Sequence, residues 1–337
     1  MLRTIPTMYA EPAGFDHAAL IDALRAAWGF HVAELEYVPV GFGTHHYRVR
    51  ADGGDEWFVN VDEPAMKAWL EAGDGNPVTA LDAALGVAVA LRGAGLEFVH
   101  APIPTRTDGS TLAALGGDYA VSVYPFLRGT SNPFAEYHSE AQRYQVLTAL
   151  GRMHAATDVD FRLPPRRNTL QVPLRHDFEA TLEQLNVVWT GGPYAEPARN
   201  LLRAHVGMVR ELFDRHDDLA TEVLASADPS VITHGETHAA NAMQTPDGAI
   251  RLIDWDTAAI GPRERDLWMV EPKTDADWAA YTSGGGAAKL NPSAIELYRI
   301  WWTLSDITSF THTFRSPHCE DANTRVAWRG LQSYLTN

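Results

Sequence analysis

Hydrophobic and polar positions alternate in the first third of the chain. Tyr37-Val38-Pro39-Val40, Tyr47-Arg48-Val49-Arg50 and Trp57-Phe58-Val59-Asn60-Val61 are short, rich in aromatic and β-branched residues, and separated by glycine-bearing segments, so they predict three strands. Ala51-Asp52-Gly53-Gly54 is a turn between the second and third. Ahead of them Leu20, Ile21, Leu24 and Trp28 recur at helical spacing behind Asp16, a residue suited to capping a helix. Behind them a helix is predicted from about Val78 to Leu91, opened by Asn76-Pro77 and ended near Gly93 and Gly95. Val99 to Pro104 reads as an extended connector, and Tyr119 to Phe126 as one more strand.

From Glu140 the period changes. Tyr144, Leu147, Leu150 and Met153-His154 mark a helix to about Ala156, with His154 a structural core histidine. A proline-bearing loop from Phe161 to Pro173 precedes helices over Phe178 to Trp189 and Ala198 to Phe213. After Gly284-Gly285-Gly286 another helix runs through Leu297, Ile300, Trp301, Leu304 and Ile307. Val231-Ile232 and the segment Ile250 to Ile253 interrupt this helical half as short strands, the latter reached through a Thr245-Pro246-Asp247-Gly248 turn. A strand-rich half followed by a helix-rich one predicts an α+β chain of two lobes, 1–126 and 127–337, with no internal repeat.

A length of 337 residues with 45% hydrophobic and 21% charged residues provides for two cores and excludes a disordered or fibrous chain. One cysteine, Cys319, excludes an intrachain disulfide and a Cys-rich metal site. The opening Met1-Leu2-Arg3-Thr4-Ile5-Pro6 lacks a signal-peptide apolar run, and no stretch is long and apolar enough to span a bilayer, so a cytoplasmic location is expected. With 27 basic against 43 acidic residues the net charge is −16, which disfavours nucleic acid and anionic membranes as partners. The same charge suits a cationic small molecule, or serves solubility alone.

The chemistry concentrates in His234-Gly235-Glu236-Thr237-His238-Ala239-Ala240-Asn241 and in Leu252-Ile253-Asp254-Trp255-Asp256. The hairpin between them would bring Asn241 and Asp254 together, an amide oxygen and a carboxylate suited to Mg²⁺ that keeps waters and phosphates as its other ligands. Glu236 is then free to take a proton. His234 and His238 as a metal pair would need a helix, which Gly235 and the preceding strand argue against.

The pattern His-Gly-Glu-x-x-x-x-Asn, with Ile-Asp-Trp thirteen residues after the Asn, resembles the catalytic and metal-binding loops of the aminoglycoside phosphotransferases. Asp254-Trp255-Asp256 and the run Gly261 to Leu267 are most similar to the spectinomycin phosphotransferase branch. The resemblance implies a bilobal protein-kinase-like fold, with a small sheet-rich N-terminal lobe and a larger helical C-terminal lobe. It implies ATP or GTP with Mg²⁺ as cofactors, and phosphoryl transfer to a substrate hydroxyl. Gly41 and Gly43 then fall in the loop over the nucleotide phosphates, Tyr124 and Phe126 in the hinge that meets the adenine, and Asn241 and Asp254 at the metal. Glu236 becomes the base, His234 a brace of the loop, and Asp266 an acceptor for that loop's backbone. Trp255, Asp256 and Asp306 become candidate substrate binders, the carboxylates for ammonium groups.

Two positions depart from that family. Asn60 stands where the family has a lysine that grips the phosphates, which would leave Asp82 on the following helix at most a hydrogen-bonding partner for it. The chain has three lysines, Lys67, Lys273 and Lys289. Lys67 could substitute only if the loop across Pro64 folds back, and Arg48 or Arg50 only by reaching from the preceding strand; neither is the favoured expectation. Glu236 stands where the family has aspartate, and displacing a catalytic group by about 1 Å can cut rate on the order of a hundredfold. Two functions therefore stay open. One is an O-phosphotransferase acting on a cationic small molecule such as an aminocyclitol or related antibiotic. The other is a kinase-fold protein that has lost or altered phosphotransfer and serves as a binding module or a catalyst of different chemistry. Retention of Asn241, Asp254 and His234 favours the first.

Overall fold

Asp16 caps a helix in the way its position suggests. Its Oδ1 accepts the Ala19 N–H at 2.9 Å to open α1 (His17–Trp28), and Gly29 ends the helix in a left-handed conformation. The computed structural model describes residues 11–12, 14–41, 43–67, 76–134 and 136–336.

Five antiparallel strands follow: β1 (Val32–Val38), β2 (His45–Ala51), β3 (Glu56–Asp62), β4 (Ala113–Leu115) and β5 (Tyr119–Pro125), in the order β1-β2-β3-β5-β4. β1 lies earlier than the expected Tyr37–Val40 stretch, because Val32, Leu35 and Tyr37 pack on the sheet's core while Pro39 cannot donate to a ladder. β4, three residues long, is too short to carry a period. On one face Tyr47, Val49, Val59, Val61, Val121 and Val123 close on Leu20, Leu24 and Trp28 of α1. On the other, cross-strand registration sets His46, Asn60 and Ser122 in one row and Arg48, Phe58 and Tyr124 in the next.

A second core forms where α2 (Pro77–Gly93), capped by the Asn76 side chain, packs with α3 (Glu140–His154). Leu81, Leu85 and Leu91 of α2 meet Leu147, Leu150 and Met153 of α3 there, together with Leu252 and Trp255. The remaining helices are α4 (Arg175–Leu182), α5 (Ala195–Ala225), α6 (Glu264–Leu267), α7 (Asp275–Ser283), α8 (Pro292–Arg315) and α9 (Ala322–Thr336). α4, α5, α8 and α9 share a third core around Phe178, Leu202, Phe213, Leu304, Phe314 and Leu331.

The helix expected to reach Trp189 stops at Leu182, and the one expected over Ala198–Phe213 grows to 31 residues. Leu219 and Val223 carry the apolar stripe of α5 onward against α8, through a stretch whose acidic content hides the period. The α+β architecture is the one expected. Among the described residues no helix is long and apolar enough to cross a membrane.

Candidate functional site

Two short ladders frame the site: β6 (Val231–Thr233) pairs with β9 (Ala259–Gly261), and β7 (Ala242–Gln244) with β8 (Ile250–Leu252). The loop from His234 to Asn241 joins them, and it is held from behind by Asp266. The Asp266 carboxylate accepts the His234 N–H at 3.0 Å and the Gly235 N–H at 2.6 Å, and its backbone oxygen accepts the Thr237 hydroxyl at 2.6 Å. His154 Nε2 reaches the same carboxylate at 3.0 Å while its Nδ1 meets the Tyr281 hydroxyl, so this histidine is structural, as expected. Burial alone would raise the Asp266 carboxyl, but the His154 bond and the nearby His154 and Arg265 charges outweigh it and hold the group below its ordinary value. Gly235 is required: its φ is +101°, and a Cβ there would overlap the Arg265 guanidinium, which itself binds Thr233 Oγ1 and the Thr257 carbonyl.

His234 is fully buried with both ring nitrogens engaged: Nε2 donates to the Ile253 carbonyl at 2.8 Å, and Nδ1 accepts the Glu236 N–H at 3.2 Å. Burial keeps it neutral by lowering its pKa. It ties the His234–Asn241 loop to the segment before Asp254. His238 instead lies with Nε2 at 3.2 Å from Asn241 Nδ2, so the two histidines do not face a common point.

Asn241 closes a single 3₁₀ turn, and its backbone oxygen accepts the Ile253 N–H at 3.0 Å, which brings Asn241 and Asp254 to the same end of the β7–β8 hairpin. Asn241 Nδ2 donates to the Glu236 carbonyl at 3.0 Å; its acceptor Oδ1 takes no part in that bond. Asp254 is a non-glycine residue at φ +66°, a conformation that costs on the order of 1 kcal/mol and recurs at functional sites. The residue keeps exposed surface, but desolvation by the protein packed around its carboxyl, then the neighbouring Asp256 and Glu236, push that carboxyl well above the ordinary aspartate range. Among the described residues no three His, Cys, Asp or Glu side chains form a metal cluster. An amide oxygen beside one crowded carboxylate does fit Mg²⁺, which takes few protein ligands and completes its shell with water and phosphate.

Glu236 has its backbone fixed at both polar ends, and its carboxylate, 29% exposed, lies 3.8 Å from His238 Nε2. Its charge acts on both Asp254 and Asp306. Asp306, on α8, accepts the Tyr334 hydroxyl of α9 at 2.7 Å, and burial with help from Glu236 raises its carboxyl to about 6. Trp302 donates to the same Tyr334 oxygen at 3.2 Å. Phe134, a solvent-exposed ring ahead of α3, lies 4.3 Å from the His238 ring and 6.2 Å from that of Trp302. Sequence periodicity carried no signal for Phe134 or Tyr334, which meet this region only in three dimensions.

Across the cleft, Gly41 and Gly43 both adopt positive φ, +77° and +87°; Phe42 between them lies outside the described residues. Asn60 turns its Oδ1 to His46 Nδ1 at 2.9 Å, its partner across the ladder. Arg48 pairs with Glu56, and Arg50 with Glu34 at 3.0 Å. Tyr124 stacks on His100 at 5.5 Å, while Phe126 donates its N–H to the Glu56 carbonyl at 3.1 Å and lies under the Arg48 guanidinium at 4.7 Å.

Four expectations are corrected. Lys67 does fold back: a 3₁₀ turn over Pro64–Met66 reverses the chain after β3. Its buried Nζ lies 2.6 Å from Asp256 Oδ2, 2.9 Å from Asp62 Oδ1 and 3.0 Å from Thr44 Oγ1. Proline at the start of a turn was the available signal. Asp256 thereby faces Lys67 in place of a substrate ammonium. Trp255 is fully buried, donates to the Leu252 carbonyl at 2.9 Å and packs on His234 at 4.5 Å, which removes it from any pocket wall. Asp82 points away from Asn60; it accepts the Thr111 N–H and hydroxyl at 2.9 and 2.7 Å and pairs with Arg162.

Residues 34–296 match the family model described as the phosphotransferase enzyme family. No curated protein matches the chain by sequence. Among solved structures, a spectinomycin phosphotransferase in complex with ADP and spectinomycin is similar at 16% identity and a TM-score of 0.72, covering 95% of this chain and 94% of that one. An amicoumacin kinase in complex with AMP-PNP, Ca²⁺ and amicoumacin gives 14%, 0.56, 95% and 93%. A choline kinase from Streptococcus pneumoniae gives 13%, 0.54, 94% and 99%. At these identities the likeness carries the fold, an α+β bilobal kinase-like one.

Proposed function

The chain belongs to the phosphotransferase enzyme family, and from that premise we propose that it transfers the terminal phosphoryl group of ATP to a hydroxyl of a cationic small molecule, an amine-bearing ring such as an aminocyclitol being the leading class. One observation carries this reading. Glu236 projects from a loop backbone held by His234 and Asn241, its part-exposed carboxylate lies beside His238, and its charge bears on both Asp254 and the half-buried Asp306.

In this reading Asn241 and Asp254 would hold Mg²⁺, which would supply positive charge against the nucleotide phosphates. Glu236 accepts the substrate hydroxyl proton. His234, neutral and doubly bonded, fixes the backbone from which Glu236 projects. The glycine loop at Gly41 and Gly43 approaches the phosphates with little steric bulk, and the backbone at Tyr124 and Phe126 meets the base. Asp306 receives the substrate ammonium, with Trp302 and Phe134 offering ring faces beside it. Support for a charged amine comes also from the net charge of −16. Asn60 keeps to the sheet through His46 in this assignment.

The test is calorimetric titration of the protein with ATP and GTP, with and without Mg²⁺, alongside Asp254→Ala. Magnesium-dependent binding that the substitution abolishes supports the site and justifies screening amine-bearing alcohols for a phosphate mass gain. Wild-type protein that binds neither nucleotide would sink the reading and leave the binding-module alternative.

A further inference from the structure

We infer that Lys67 is the protein's own phosphate-contacting cation, and that Asp256 is the carboxylate that holds its ammonium until a polyphosphate takes over. The inference rests on the nucleotide site proposed above and assigns a role within it to two residues.

Position is the first argument. Lys67 Nζ touches three segments: Thr44 just after the glycine loop, Asp62 at the end of β3, and Asp256 two residues past Asp254. Thr44 Oγ1 donates to Asp62 at 2.6 Å and accepts from Lys67, so the glycine loop, the sheet and the hairpin end are tied through one ammonium. A polyphosphate spanning from Gly41 and Gly43 to Asn241 and Asp254 passes this point.

Charge is the second. Asp62, Glu236, Asp254 and Asp256 crowd this end of the cleft, and an incoming polyphosphate adds more negative charge. Arg48 and Arg50 are committed to Glu56 and Glu34, and Lys273 and Lys289 are exposed. Lys67 is a compact point charge on a flexible stem, which can exchange one oxygen partner for another without moving its backbone. Asp62, which ends β3, and Thr44, which precedes β2, lie on the same side of the cleft as the 3₁₀ turn that delivers Lys67, and remain its anchors. Asp256, on the opposite lobe, is the partner a phosphate oxygen replaces.

The experiment is calorimetry of the full chain with AMP, ADP and ATP, comparing wild type, Lys67→Met and Asp256→Asn. Loss of one charge-assisted hydrogen bond corresponds to about 10- to 100-fold in affinity. Lys67→Met is expected to lose that much for ADP and ATP while AMP binding changes by less than about threefold. Asp256→Asn, which removes the competing carboxylate, is expected to bind metal-free ADP severalfold more tightly. Equal losses for AMP and ADP, or no loss, overturn the inference and leave the proposed function standing. Failure of the wild type to bind any of the three overturns both.

Should Lys67→Met not fold, an acyl phosphate of ATP decides on the wild type. A lysine amine attacks its acyl carbon, forming an amide and releasing ATP. Label on Lys67 that excess Mg-ATP suppresses supports the inference; label confined to Lys273 or Lys289 overturns it.

Discussion

Asp254 and Asp266 are carboxylates on the two sides of one loop, Asp266 fully buried and Asp254 with exposed surface, and their surroundings push them in opposite directions. Asp266 is met by donors: two backbone N–H groups, His154 and the Arg265 charge. Asp254 is met by other carboxylates and sits in a left-handed conformation. Desolvation by the surrounding protein works to raise both carboxyls, so it does not separate the two. What separates them is whether the fold itself satisfies the charge. At the back of the loop the protein's own donors match the carboxylate, while at the front carboxylate faces carboxylate.

The largest effects should come from breaking the satisfied side. Asp266→Asn turns one acceptor into an N–H facing the donors of His234 and Gly235, and a loss of about 3–5 kcal/mol is expected in urea unfolding. Asp254→Asn is expected to do the reverse, leaving apo stability equal or higher while abolishing magnesium-dependent nucleotide binding. If Asp254→Asn unfolded the protein as Asp266→Asn does, the contrast between the two sides would be wrong.

The same pair gives opposite pH signatures. Asp266 has its folded pKa depressed, so its stabilisation is present above the unfolded value, about 4, and is lost as pH falls through the folded pKa. Asp254 has its folded pKa raised, so its penalty is absent below about 4, grows as pH rises from there, and is complete above the folded pKa. Unfolding midpoints measured from pH 7 downward should show the Asp254→Asn advantage shrinking to nothing near pH 4. The Asp266→Asn deficit should persist to that point and vanish only below it.

On the helical side a milder effect is expected. The Asp306 carboxyl, raised to about 6, must ionise to hold an ammonium. For an amine substrate KM should therefore fall as pH rises through about 6. Asp306→Asn should remove that dependence and raise KM about 10-fold, the worth of one exposed-to-buried charge pair. A KM that ignores both pH and this substitution would detach Asp306 from the substrate.

The loop and hairpin were legible in the sequence because their contacts are local: a Pro-Asp-Gly turn sets the β7–β8 register, and that register carries Asn241 to Asp254. The sheet was legible from its alternation. Lys67 and Asp256 lie 189 residues apart, and no period links them; a turn of three residues delivers the pairing. Asp82 looked like a partner for β3 because helix α2 follows that strand, yet its neighbours Thr111 and Arg162 come from segments with no pattern of their own. The long reach of α5 and the existence of α9 were hidden by polar residues on amphipathic faces, whose apolar stripes become evident only against α8.

The mildest change is expected at Asn60 of β3. Were the strand position the phosphate site, Asn60→Lys would restore the missing charge and tighten ATP binding. In the folded protein Asn60 Oδ1 serves His46 across the ladder, and an ammonium already stands at Thr44, Asp62 and Asp256. A second cation at Asn60 would face His46 without its acceptor. Asn60→Lys is therefore expected to change ATP affinity by less than about threefold, and to lower stability by about 1 kcal/mol, the ordinary worth of one hydrogen bond. A clear gain in ATP affinity would return the phosphate contact to the strand, and would make the Lys67 network a tie between the lobes in place of a ligand site.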